Sequence, residues 1–457
     1  MDRRHFLGVS GTVGAMLSGG LPLWAIGEKR DGSNYGVGND PSGLTSIGEW
    51  SLRDIREIFQ KEFQQYNLPL WRNHVVDKEY GGYIPQTDSY FNSDGEMIQS
   101  DKRMYHQGRC FWFYSYLYNH VEKDAQYLEA AKQGYEFLVK YAFEKDSSLW
   151  RQRVNRKGDE LVPPQDILAS VYMFMGLGEY YKATKDATVA DLAIESAHAI
   201  IRELTSNAFQ APGMGPRAEY IESWREPGTR RLGFWIHFLS ALTPFLKYKA
   251  DPSLEMMATF CVRNILERHY QKDLGFAYEF LQFDSTPYSK SYHTHDTMRA
   301  VDGFHSVEAS WMCMDEALRR GDHEMFLDAL GLGKDVMELL WLERGGKQGL
   351  VRYYWPDDPD PMERARILEP YVMNEVWVML LLGMEHSSEP WLEEWFDRSF
   401  TYAYKTGKIQ FPYGETLHHP RGLLFAIEIL DRMISRNGQK SDFLETSAQP
   451  QQKRNYR

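Results

Sequence analysis

Two stretches decide the architecture: PQDILASVYMFMGLGEYYKA at 164–183 and RLGFWIHFLSALTPFLKYK at 231–249. Both have the length and composition of helices, and both are apolar almost all round. A helix of that kind offers water no face and must be buried on every side. The helix between them, TVADLAIESAHAIIRELT at 188–205, has one apolar stripe and a charged back. The same alternation continues in both directions. Within 123–143, Leu128, Ala131, Tyr135, Leu138 and Ala142 recur at steps of three or four and line one helix face. YVMNEVWVMLLLGME at 371–385 is again apolar all round, and 322–341 is again striped. The reading predicts about twelve helices, near 49–66, 102–120, 123–143, 164–183, 188–205, 231–249, 253–270, 303–320, 322–341, 371–385, 388–405 and 420–435. Strand signals are few: GGYIPQ at 81–86 and GFAYEFLQF at 275–283 read as small hairpins in connecting loops.

Six buried helices alternating with six amphipathic ones predict an all-α fold, an (α/α)6 barrel with an inner ring wrapped by an outer one. An α-solenoid would need a repeated consensus at fixed period, and the chain has none. In the barrel the inner helices run parallel, so their N-termini share one end. Polar residues cluster at the starts of all six: Arg103 and Gln107, Asp166, His237, His305 with Glu308, Glu375, and His418 with Arg421. A helix N-terminus carries partial positive charge, which disfavours imidazolium and suits a developing oxyanion. A single histidine at a helix start is more often a structural hydrogen-bonder than a catalyst. Two neutral imidazoles facing one mouth, His305 and His418, suit a reaction that removes a proton from carbon and returns it.

Composition narrows the partners. A formal charge of −12 argues against nucleic acid, which needs a basic footprint, and gives no general pull on phosphates or uronates. Aromatic residues make up 14% of the chain; their faces can stack on sugar rings, although a large helical core also absorbs them. Cys110, Cys261 and Cys313 lie inside apolar helical stretches with no paired spacing, and read as buried hydrophobes rather than as disulfides or a zinc site.

The chain begins MDRRHFLGVSGTVGAMLSGGLPLWAIG. Arg3-Arg4 followed by Phe6-Leu7 and a weakly apolar run resembles a twin-arginine export signal over residues 1–27, which predicts a periplasmic or secreted protein. The glycines make that run a poor membrane span, so no membrane anchor is expected after signal removal. Residues 28–47 read as a Gly/Ser/Asn-rich linker, 48–436 as the barrel, and 437–457 as a polar, disordered tail.

At these residues the chain resembles the N-acylglucosamine 2-epimerase family, which includes cellobiose 2-epimerases and mannose isomerases. The resemblance is carried by GGY at 81–83, DKRMYHQGRCFWFYSYLY at 101–118, GLGEYYKATKD at 176–186, GFHSVEASWMCMDEA at 303–317 and HHPRGLLFAIEIL at 418–430. It implies an (α/α)6 barrel with His305 and His418 as the catalytic pair, His419 being a rival for the second place. It also implies that His237 matches an additional histidine of cellobiose-type members, that Arg103 binds substrate, and that Glu308 orients His305 from one helical turn away. Gln107, Asp166, Glu375 and Arg421 are the other candidate substrate-binding residues. Members usually carry a Trp-Trp pair before the glutamate of the tenth helix; here Pro370-Tyr371 and Met373 precede Glu375, so substrate identity is not inherited.

The resemblance thus implies a carbohydrate isomerase acting on a small-molecule sugar, as a monomer or homodimer, with no metal or other cofactor. One histidine would take the C2 proton of an open-chain aldose, forming an enediolate, and the other would return it. Two alternatives stand beside this. A carboxylate-dependent glycoside hydrolase or lyase on the same barrel would use Asp166, Glu308 or Glu375, and a non-catalytic sugar-binding descendant would use none of them. The run Tyr292-His293-Thr294-His295-Asp296 imitates a metal site but reads as a solvated loop.

Overall fold

The computed structural model describes residues 43–444, except 86, 88, 89, 93, 165–166, 207–227, 291–295, 369–371 and 410–417. The signal expected at 1–27, Asp166, the His293–His295 run and Pro370-Tyr371 all lie outside the described residues.

The expected alternation holds. The first outer helix is broken by a π-helical turn, with α1 at Leu52–Glu62 and α2 at Leu68–Asn73 on either side of Phe63–Asn67. The inner ring is α3 (Met104–Tyr116), α5 (Ile167–Thr184), α7 (Leu232–Leu246), α9 (Gly303–Arg320), α11 (Met373–His386) and α13 (His418–Ser435). The outer ring adds α4 (Ala125–Tyr141), α6 (Ala187–Thr205), α8 (Pro252–Arg263), α10 (His323–Leu340) and α12 (Pro390–Lys405). Each inner helix packs on the next inner one and on the outer partner beside it in the chain, with α1 covering α13. Side chains close the ring between α13 and α3: Tyr116 Oη donates to Glu428, and Trp112 packs edge-on against Phe425.

Local chemistry fixes the helix starts. Ser51 and Asp54 form a capping box on α1, while Asp124, Asp186, Asp251 and Asp322 cap α4, α6, α8 and α10 by accepting from first-turn backbone N–H groups. Short strands brace three inner helices where they begin. Lys102–Arg103 pairs with Arg153–Val154 before α3, Arg230–Arg231 with Phe280–Leu281 before α7, and Val301–Asp302 with Tyr353–Tyr354 before α9.

Three expectations change. GFAYEFLQF is not one hairpin: Phe276–Ala277 pairs with Tyr270–Gln271, and Phe280–Leu281 pairs with the strand before α7. GGYIPQ is a glycine turn closed by a single bridge, Val76 to Tyr83, with Gly81 and Gly82 at φ of +82° and +65°. The barrel also reaches further than 48–436. Ser46–Ile47 pairs with Trp50–Ser51 and Ile47 is fully buried, while Phe443 packs on Phe326 and His386.

The inner helices approach too closely for side chains everywhere. A Cβ on Gly108 of α3 would lie 2.6 Å from the carbonyl carbon of Tyr172 and 2.8 Å from the amide nitrogen of Met173 on α5. Backbone cannot yield there as a flexible side chain can, and overpacking of this kind costs about 1–3 kcal/mol. Gly108→Ala is therefore expected to lower the unfolding free energy by that amount in urea titrations, and an unchanged midpoint would refute this close approach.

Candidate active site

At the end of the barrel where the inner helices start, their first turns carry a buried polar cluster. His305 lies in the first turn of α9 and is 2% exposed. Its Nδ1 is 2.8 Å from Glu279 Oε2, and the other Glu279 oxygen accepts from Arg231 Nε at 2.5 Å. A carboxylate at Nδ1 takes the N–H there and leaves Nε2 with its lone pair. Burial works against ionisation of Glu279, but His305 and Arg231 outweigh it and hold the carboxyl below its usual range.

His418 opens α13, two residues before the expected start. Its Nδ1 faces Glu375 Oε1 at 3.3 Å and Glu308 Oε1 at 3.5 Å, and Arg109 Nη2 lies 3.3 Å from Nε2. Arg421 joins the carboxylates: its Nη2 is 2.7 Å from Glu308 and 2.5 Å from Glu375, and the second Glu375 oxygen accepts from Trp311 Nε1 at 3.0 Å. Burial tends to raise the Glu308 carboxyl, but His418 and Arg421 overcome it and keep Glu308 well below the usual carboxylate range. His237 stands edge-on to His305, ring centroids 5.6 Å apart, with its Nδ1 on the carbonyl of Gly233. Burial is the chief reason that its pKa falls to about 3, which leaves it neutral at any ordinary pH.

The structure thus brings together His237, His305, Glu308, Glu375, His418 and Arg421. His419 turns away to Asn374 and Glu62 in the wall behind α13. Two sequence expectations are corrected. Glu308 does not orient His305; its first oxygen is taken by Arg421 and His418, and Glu279 stands at Nδ1 of His305 instead. Gln107 is fully buried and its amide is committed at both ends to the backbone of Tyr83, accepting at 2.9 Å and donating at 2.8 Å, so it pins a loop rather than greeting a substrate. Arg103 occupies the N-cap position of α3 without a side-chain cap; the α3 guanidinium that lies beside His418 is Arg109, six residues on.

Both missed residues left signals. Arg109 shares a helix face with Tyr105, Trp112 and Tyr116 at steps of three and four, and its guanidinium lies over Tyr105 at 4.0 Å. Glu279 is the one charged residue in GFAYEFLQF.

Among the described residues three groups of side chains have metal-ligand chemistry: His237, His305 and Glu308; Glu279, Asp302 and His305; and Glu308, Glu375 and His418. In each group a carboxylate already carries an arginine: Arg421 on Glu308 and Glu375, Arg231 on Glu279, and Arg352 on Asp302 at 2.9 Å. Those fixed positive charges oppose a divalent cation.

Residues 81–408 match the N-acylglucosamine 2-epimerase (GlcNAc 2-epimerase) family. A cellobiose 2-epimerase of Dictyoglomus turgidum is 26% identical over 288 residues, covering 60% of this chain and 69% of that one. An N-acylglucosamine 2-epimerase of Bos taurus is 24% identical over 425 residues, covering 86% of this chain and 93% of that one. The solved structure of a cellobiose 2-epimerase from Bacillus thermoamylovorans superposes with a TM-score of 0.67 at 19% identity, covering 82% of this chain and 99% of that one. That likeness shows the shared (α/α)6-barrel fold.

The buried histidines also set a stability profile. Burial, the largest cause in each case, lowers His237 to about 3, and His269 and His386 to about 4, from 6.5. Between these values and 6.5 the unfolded chain binds protons that the folded chain refuses, so stability falls as pH drops through that window. Each histidine contributes a slope of up to about 1.4 kcal/mol per pH unit. Urea unfolding is expected to weaken steadily from pH 6.5 to 4.5; a flat profile would contradict the neutral burial of these rings.

Proposed function

Since the chain belongs to the N-acylglucosamine 2-epimerase family, we propose that this cluster moves a proton at C2 of an open-chain aldose. The observation that carries the reading is the pair of buried imidazoles, His305 and His418, each within 4.8 Å of Glu308, with Glu279 at Nδ1 of His305 and with Glu375 and Arg421 Nη2 at 3.3 and 3.2 Å from Nδ1 of His418. A neutral imidazole whose Nδ1–H is held by a carboxylate is a base at Nε2 and, once protonated, an acid at the same atom. The C2 proton is acidic because the C1 carbonyl accepts the electron pair, giving an enediolate. Arg109 and the surrounding helix N-termini hold the charge that develops on oxygen. Neutral His237 offers a hydrogen bond without competing for the proton. Return of the proton to the opposite face of C2 gives the 2-epimer; return to C1 would give the ketose, and the same residues serve either outcome.

The carboxylate-dependent hydrolase fits this cluster less well. A general acid needs a carboxyl kept protonated by its surroundings, whereas Arg421 and His418 hold Glu308 ionised and Arg421 and Trp311 occupy both oxygens of Glu375.

The substrate we propose is a neutral aldose, free or at the reducing end of a short oligosaccharide, with N-acylglucosamine second. The net charge of −12 and the two kinds of relative support that choice. Export is proposed on the Arg3-Arg4-x-Phe6-Leu7 order, and among the described residues no helix is long and apolar enough to cross a membrane.

Proton NMR of mannose, cellobiose and N-acetylglucosamine in deuterated buffer reads C2 exchange directly. His305→Asn and His418→Asn are each expected to slow exchange by about 10²–10⁴-fold with the fold intact. Full exchange in either variant refutes the two-histidine reading. Glu279→Gln, which keeps shape but removes the charge at Nδ1, should cost about 10–100-fold in kcat with KM little changed; a pure KM effect would mean that Glu279 does not act through His305. Replacing Arg3→Lys and Arg4→Lys together should hold the protein inside the cell, and unaltered export of that variant would sink the twin-arginine reading.

A further inference from the structure

His305 has a second carboxylate near the same ring nitrogen. Asp302 Oδ2 lies 3.7 Å from Nδ1, further out than the Glu279 oxygen at 2.8 Å. Each carboxylate is backed by its own arginine from a different element. Arg231, just before α7, stands on Glu279; Arg352, just before the strand that pairs with Val301–Asp302, stands on Asp302 at 2.9 Å. Two buried ion pairs therefore converge on one N–H. That N–H is donated to the nearer carboxylate, Glu279, so Asp302 acts on the ring through its charge.

Asp302 also caps α9, its Oδ1 accepting from the Phe304 N–H at 3.0 Å. The cap alone does not account for an aspartate here. Serine, threonine or asparagine would accept the same bond without a charge. The aspartates that cap α4, α6, α8 and α10 keep some contact with water, whereas Asp302 is fully buried. Burying a carboxylate is costly unless its surroundings compensate it. Oδ2, the oxygen that the cap does not need, is also the one beside the imidazole, and no group among the described residues is aligned to hydrogen-bond it.

We propose that Asp302 is a second positioning residue for His305, its charge favouring the imidazolium that forms when Nε2 takes the C2 proton and the C–H electron pair moves toward the C1 carbonyl. The proposal rests on the reading of His305 as a base, but the titration of the ring is measured without substrate. The other titratable groups around the ring are neutral His237 on α7, Glu308 one turn along α9, and Tyr353, the strand partner of Asp302. All three stay the same in the variants that test it.

The test follows the His305 imidazole by nitrogen-15 NMR in the full chain with labelled histidine, its signal assigned by its loss in His305→Asn. Asp302→Asn keeps the size and the cap but removes the charge, and should lower the titration midpoint of His305 by about one pH unit. Arg352→Gln leaves the Asp302 charge less compensated and should raise the midpoint by a similar amount. A loosened cap would not move the two variants in opposite directions. In C2 exchange, Asp302→Asn should lose roughly three- to tenfold in kcat with KM little changed. Should Asp302→Asn fail to fold, Asp302→Ser keeps a capping oxygen and is read in the same way. No shift on removal of the charge, shifts of the same sign in the two variants, or a native His305 that does not titrate between about pH 5 and 9 would each overturn the proposal. If the native chain exchanges no C2 proton, the two-histidine reading fails, and the titration still decides the role of Asp302.

Discussion

One buried guanidinium organises the carboxylates around His418. Arg421 is 2% exposed, and Glu308 and Glu375 are fully buried against it. Two carboxylates in that position, without a cation, would be driven to bind protons or to seek water. Arg421 pairs with both, and in doing so ties together α13, α9 and α11, three of the six inner helices. His418 stands on the same carboxylates. The pairing of charge in this cluster and the packing of three inner helices are therefore one problem with one solution.

A second ion pair, Arg231 with Glu279, does for His305 what Arg421 does for His418. Neither element holding that pair is an inner-helix interior: Arg231 caps α7, and Glu279 lies between two short strands. The strand pairing Phe280–Leu281 with Arg230–Arg231 sets these two residues side by side. Small strands in an all-α protein thus have a plain purpose. They fix loop backbone where a helix start must be held to within a fraction of an ångström, and this is what positioned catalysis requires.

Parallel inner helices divide the barrel into unlike ends. N-termini give the front a positive potential suited to oxygen charge and neutral imidazole. C-termini give the rear a negative potential, and Lys182, Lys247 and Arg432 answer it at the last turns.

The sequence by itself determined the ring. Helix periodicity and the alternation of all-round apolar with striped helices leave few ways to bury six such cylinders, and hydrophobic burial is read from composition at each position. It also placed His237, His305, Glu308, Glu375, His418 and Arg421 at one end, because parallel helices bring their first turns together. Which carboxylate meets which imidazole was decided only by tertiary structure. Glu308 lies one turn from His305 in the chain, but side-chain direction sends its bonded oxygen to Arg421 and His418 across the bore. Glu279 reaches His305 from a loop 26 residues away. Between His418 and His419, adjacent on one helix, a rotation of about 100° separates the cavity from the wall, and neighbouring helices alone fix that rotation. Gln107 carries the same lesson: its amide suits a sugar hydroxyl as well as a backbone, and the fold presents it with Tyr83. Periodicity along a chain reports which face is buried; it carries no record of the partner that the fold brings to that face.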